Sequence, residues 1–210
     1  MTQKERVREI IQRLAKIYPH PTTVLRYKTP WELLVATILS AQTTDKTVNT
    51  ITPELFKKFP TIKSFADAQI SDIDKMISTV NFHTNKARSI NGASHMILEK
   101  FNGKIPDNME ELDSLPGVAR KTANVVLGTA FHKNEGIVVD THVMRLSKKL
   151  KLTDSTDPVK IEQDLMKIVP QEQWTNFSHY LILHGRDMCT ARTHLCNECP
   201  LGELCPDKKQ

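Results

Sequence analysis

Apolar residues recur along this chain at helical spacing and almost nowhere alternate. Val7, Ile10, Ile11, Leu14 and Ile17 form one stripe with charges opposite, which predicts an amphipathic helix over residues 4–18. Tyr18-Pro19-His20-Pro21 stops it, because two prolines force an extended connection. Thr29-Pro30 then offers a cap and a first-turn proline for a second helix. Trp31, Leu33, Leu34, Val35, Ala36, Ile38 and Leu39 make that helix apolar nearly all round, the pattern of a central, buried element. A third helix is expected over 45–59, with Val48, Ile51, Leu55, Phe56 and Phe59 inward and an interruption near Pro53. Two short helices follow, around 62–68 and 73–78. A connector through Val80-Asn81-Phe82-His83 then leads to a long helix carrying Ile90, Ala93, Ile97 and Phe101, closed by Asn102-Gly103. Further amphipathic helices are expected from Asp140 to Leu150, over 159–169 and over 174–186. With no strand ladder, internal repeat or low-complexity linker, the pattern predicts an all-α protein.

The stretch Leu115–Leu127, Leu-Pro-Gly-Val-Ala-Arg-Lys-Thr-Ala-Asn-Val-Val-Leu, stands apart. Met109, Leu112 and Leu115 recur at helical spacing ahead of Pro116-Gly117, and a dense apolar run follows it. The local reading is helix, tight glycine hairpin, helix. Gly117 has no Cβ, so the hairpin backbone can approach another molecule closely. The first amides of the second helix have no intrahelical partner and lie at the positive end of its dipole, which makes a small anion site. Lys121 sits on that first turn, where the dipole disfavours its ammonium form.

Composition narrows the class only slightly. Hydrophobic content of 39% and charged content of 25% describe an ordinary globular chain. The excess of 29 Lys+Arg over 24 Asp+Glu, +5 in all, admits a polyanionic partner without demanding one. The segment Met1–Glu9 lacks the apolar core of a signal peptide, and no run reaches the length of a membrane span. A cytoplasmic protein without disulfides is therefore expected.

The four cysteines, Cys189, Cys196, Cys199 and Cys205, are spaced C-x6-C-x2-C-x5-C. Structural zinc usually uses two C-x2-C knuckles, and here there is one, flanked by wider gaps, so the spacing favours a [4Fe–4S] cluster over zinc. Such a cluster would order a tail with little apolar content and display Arg192 on the x6 loop.

Three features now stand in one order: the hairpin with Lys121, then Asp140 in Val-Asp-Thr-His-Val, then the cysteine loop. With Ile-Leu-Ser-Ala-Gln-Thr-Thr-Asp at 38–45 and Ile-Leu-His-Gly-Arg at 182–186, they make nearly the whole chain resemble the endonuclease III family of DNA glycosylases, in the helix–hairpin–helix superfamily. The resemblance implies the helix–hairpin–helix glycosylase fold: a six-helix domain over 22–133, and a discontinuous iron–sulfur cluster domain made of 1–21 and 134–210, with DNA in the cleft between them. It implies a monomeric, nucleoid-associated enzyme of base-excision repair, acting on double-stranded DNA that carries an oxidised pyrimidine or an abasic site. Lys121 matches the family's catalytic lysine and Asp140 its catalytic aspartate. Gln42 matches a residue that fills the gap left by an extruded base, and Phe82 falls where an apolar wedge is often placed. Gly117, Val118, Ala119 and Arg120 match the phosphate-binding hairpin.

The implied chemistry needs a neutral Lys121 amine, which dipole opposition and partial burial would favour, and an ionised Asp140. Several positions depart from the family pattern. Ala119 replaces the hairpin's second glycine, and a methyl group fits there only with negative φ. Asn81 replaces a frequent glycine before the wedge, and asparagine tolerates a left-handed backbone. Thr193 and Leu195 occupy positions that are often basic, leaving Arg192 as the loop's DNA contact. Two other readings stand beside this one. A monofunctional mismatch glycosylase would generally lack a lysine at position 121, and a non-catalytic binding module with a redox cluster would need neither Lys121 nor Asp140.

Overall fold

The structure, a computed structural model, describes residues 1–208. It contains eleven α-helices and one 3-10 turn among those residues. They are α1 (Gln3–Ile17), α2 (Pro30–Ser40), α3 (Asp45–Lys58), α4 (Ile62–Ala66), α5 (Ile70–Met76), α6 (His83–Lys100), α7 (Met109–Asp113), α8 (Arg120–Ala130), α9 (Thr141–Lys149), α10 (Pro158–Ile168) and α11 (Trp174–Asp187). The nearest approach to a strand among them is an isolated bridge between Cys189 and His194. None of these helices is long and apolar enough to cross a membrane.

The chain divides into two compact units, Thr23–Lys133 and the pairing of Met1–Thr22 with Asn134–Gln210. The first holds seven helices among the described residues, α2 to α8, with the short α7 standing ahead of the hairpin where the helical spacing of Met109 and Leu112 places it. Asn108 caps that helix by accepting from the Glu111 amide at 3.0 Å. Helix α2 is central to this unit, as its all-round apolar character predicts: every residue from Leu33 to Leu39 is buried, and α3, α6 and α8 pack around it. Trp31 meets Phe65 edge-on at 5.4 Å between ring centres, joining α2 to α4. Pro53 does not interrupt α3, which runs unbroken through it. The proline lies on the exposed face, where one missing backbone hydrogen bond is tolerated.

The second unit packs α1, α9, α10 and α11 around its own core, which includes Val7, Ile10, Leu14, Val143, Leu146, Leu165, Phe177 and Leu181. Its N-terminal helix opens with a capping box, Thr2 with Glu5. The cysteine tail is tied to that helix. Arg13 donates to the Pro200 carbonyl at 2.9 Å, and Arg6 donates to the Leu204 carbonyl at 3.3 Å. Leu201 and Leu204 enter the core at 1% and 8% exposure, so a tail that reads as polar is anchored by two leucines.

Candidate functional site

The hairpin forms as its sequence dictates. Val118 donates its amide to the Leu115 carbonyl at 3.0 Å across Pro116-Gly117, and Leu115 and Val118 are both buried beneath the turn. Gly117 has φ +76°, and a Cβ there would stand 2.5 Å from the Cβ of Ser89 on α6. Only glycine satisfies both conditions. Ala119 is the N-cap of α8 with φ −111°, so its methyl group is accommodated. It has no side chain to cap the helix, and the first-turn amides of α8 also lack intrahelical carbonyls. Arg120 and Lys121 are exposed on that turn. The partial burial expected around Lys121 is not found.

Asp140 lies in the other unit. Ile137, Val138 and Val139 form a buried extended approach to it. The Val138 amide donates to Ser178 Oγ on α11 at 2.9 Å, and that hydroxyl donates in turn to the Trp174 carbonyl at 3.0 Å. Asp140 then caps α9, its Oδ1 accepting from the His142 and Val143 amides, both at 2.8 Å. His179 is 8% exposed. Burial depresses its pKa to about 4 against the opposing pull of the Asp140 charge, so at neutral pH it is uncharged.

Gln42 and Phe82 stand on two loops that the structure brings together. Gln42 is exposed just after α2 with φ 55°, and Phe82 is 62% exposed ahead of α6 with φ 58°. The left-handed backbone expected at Asn81 falls one residue later, on Phe82. Asn81 instead spans the gap, its Nδ2 donating to the Gln42 carbonyl at 2.5 Å. Arg192 is exposed at the tip of a loop closed by Thr190, whose Oγ1 accepts from the Arg192 and Thr193 amides at 3.2 and 2.8 Å.

The cysteine tail does not meet the expectation of a [4Fe–4S] cluster or of any metal-binding domain built on it. Cys189, Cys196, Cys199 and Cys205 border one hollow. Yet among the described residues no group of three or more His, Cys, Asp or Glu side chains is arranged to hold a metal ion. The cysteines are free, and three of them are taken up by separate neighbours. Cys189 Sγ lies 3.6 Å from His194 Nδ1, Cys199 Sγ lies 3.5 Å from His184 Nε2, and Cys205 Sγ faces the Lys149 carbonyl at 4.0 Å. Burial also pushes the thiols of Cys189, Cys199 and Cys205 up, away from the thiolate that binds metal. The order expected from a cluster comes instead from the buried leucines and the arginines of α1.

Sequence reading missed Ser178, His179 and Lys86. A serine and a histidine within an apolar helix give no signal of their own. Lys86 gave one: it falls in step with Ile90, Ala93 and Ile97, on the buried stripe of α6, where a charge has no bland purpose.

Comparison with known proteins agrees with this geometry. Residues 35–171 match the HhH-GPD superfamily base excision DNA repair protein family. The chain is 53% identical to an endonuclease III of Synechocystis sp., over 98% of this chain and 94% of that protein. It is 43% identical to an endonuclease III of Haemophilus influenzae, over 100% and 99%. Among solved structures, a trapped endonuclease III–DNA covalent intermediate superposes with a TM-score of 0.91 at 39% identity, covering 99% of this chain and 98% of that one. With its hairpin, its capped Asp140 and these likenesses along its full length, the chain belongs to the endonuclease III family of the HhH-GPD superfamily of base excision DNA repair proteins.

Proposed function

We propose that this chain is a bifunctional base-excision-repair enzyme: a DNA glycosylase that releases oxidised pyrimidines from duplex DNA, and a lyase that cleaves at the abasic site left behind. The observation that carries the reading is the hairpin itself, which sets Lys121 on the open first turn of α8 in a fold shared with a protein trapped covalently on DNA. We assign Lys121 as the nucleophile. Its neutral amine attacks the sugar C1′ of a nucleotide flipped out of the stack, and the glycosidic bond breaks, the base leaving with the bonding electrons. Loss of the amine proton and ring opening give a protonated Schiff base. Removal of a C2′ proton then expels the 3′ phosphate by β-elimination, and water releases the lysine.

Asp140 is assigned as the carboxylate that takes up the amine proton and opposes the positive charge of the sugar, held in place by its two amide donors. Gly117, Val118, Ala119 and Arg120 are assigned to a DNA phosphate, a contact that positions without reading sequence. Gln42 is assigned to the gap left by the flipped base, Phe82 to the opposite strand as a wedge, and Arg192 to the backbone. On this reading the protein acts as a monomer in the cytoplasm, on the nucleoid.

The test is borohydride trapping on a duplex carrying thymine glycol. The expected result is a covalent adduct that is lost in Lys121→Gln. Base release with no adduct would mean a monofunctional glycosylase, and DNA binding with neither release nor adduct would mean a binding module; either overturns the proposal.

A further inference from the structure

The loops carrying Gln42 and Phe82 both bend through left-handed residues that are not glycine, at φ 55° and 58°. Such a conformation costs about 1–2 kcal/mol per residue and persists only where the surroundings impose it. Here a single network reaches both loops. Lys86, 7% exposed on α6, extends its Nζ to the Leu39 carbonyl at 2.8 Å, the Ala41 carbonyl at 2.5 Å and Thr43 Oγ1 at 3.3 Å. The ammonium thus sits at the C-terminal, negative end of α2 and fixes the chain on both sides of Gln42. Thr43 Oγ1 also accepts from the Asn81 amide at 3.3 Å, and the Asn81 side chain donates to the Gln42 carbonyl. The second loop is therefore fastened to the first immediately before Phe82.

An apolar residue at position 86 would fill the stripe with Ile90 and Ala93 without burying a charge, so helix packing alone does not account for the lysine. Its three acceptors lie within residues 39–43, which is what a device for shaping that loop requires. We propose that Lys86 and Asn81 are positioning residues that clamp the two loops into one preformed pair of prongs, so that Gln42 and Phe82 engage damaged duplex together. The proposal rests on the assignment of both side chains to DNA made above. Every hydrogen bond of the clamp that reaches Gln42 ends on its backbone, so removing the Gln42 side chain leaves the clamp intact.

That property makes a double-mutant cycle informative. The probe is a duplex with one tetrahydrofuran abasic analogue, which binds but cannot form a Schiff base. Affinity is measured for the parent chain, Gln42→Ala, Phe82→Ala and the double variant, and again for the same four carrying Asn81→Ala or Lys86→Met. In the parent background the double variant is expected to bind about threefold or more tighter than the product of the single losses predicts. With Asn81→Ala the losses should simply multiply. Asn81 is exposed, so this arm remains readable even where Lys86→Met fails to fold. On a thymine glycol duplex, Asn81→Ala should raise KM and leave kcat unchanged, a split that general destabilisation does not produce. Multiplying losses in the parent background, or a coupling that survives Asn81→Ala, overturn the clamp. Single variants that each bind as well as the parent overturn the DNA assignment beneath it.

Discussion

Gly117 and Asp140 show how much one atom decides at the scale of the residue. Gly117→Ala would carry a left-handed penalty and push a methyl group to 2.5 Å from Ser89 Cβ, so a loss of about 2–4 kcal/mol is expected, read as a fall in the chemical denaturation midpoint. Adding Ser89→Gly should restore the steric part and leave the backbone part, which separates the two causes. A single substitution separates the cap that Asp140 forms from the catalytic role proposed for it. Asparagine caps a helix about as well as aspartate and can accept from the His142 and Val143 amides through the same oxygen. Asp140→Asn is therefore expected to keep the parent's stability within about 0.5 kcal/mol. Borohydride-trappable adduct should meanwhile form roughly a hundredfold more slowly, the size of effect carried by a positioned acid or base. An equal fall in both would mean that the residue only caps.

The elements were largely legible because each helix of this chain carries its own signals. Thr29 with Pro30, Asp140, and Asn102 before Gly103 are local, and local chemistry decides where a helix begins or ends. Pro53 misled because tolerance of a proline depends on which face it occupies, a tertiary fact. The cysteine tail misled more deeply. Ligand spacing is legible in sequence, but whether sulfurs converge depends on what else the backbone packs against, and here Leu201, Leu204 and the arginines of α1 set the tail's course. The clamp at Lys86 was half legible: a lysine on an apolar stripe is visible, its acceptors 43 to 47 residues away are not. The approach to Asp140 was legible as apolar, and its fastening was not. That fastening predicts that Ser178→Ala, which strands the buried Val138 amide, lowers stability by about 1–3 kcal/mol. Ser178→Thr, which keeps a hydroxyl there, should lose less if the added methyl is accommodated.

Across the whole molecule the buried apolar residues fall into two cores, and the sequence supplies a tryptophan reporter for each. Trp31 lies in the core built around α2, and Trp174 packs against the core that holds α1 and α11. His179 belongs to the second. Its folded pKa of about 4 lies below the ordinary 6.5, so above pH 6.5 neither folded nor unfolded chain is protonated there and the residue contributes no pH dependence. As pH falls below 6.5 the unfolded chain gains a proton that the folded chain refuses, and stability declines until the folded histidine also titrates near 4. The gap corresponds to about 3 kcal/mol at 1.36 kcal/mol per pH unit. Burial lowers the pKa of His184 in the same unit, which adds to the decline in the same direction. In a Trp31→Phe background, denaturation followed by Trp174 fluorescence should weaken steadily from pH 6.5 to 4, and His179→Gln should flatten part of that slope. Equal slopes with and without His179 would show that its ring accepts a proton in the folded state as readily as in the unfolded one, and that the core around α11 admits water where its packing says it does not.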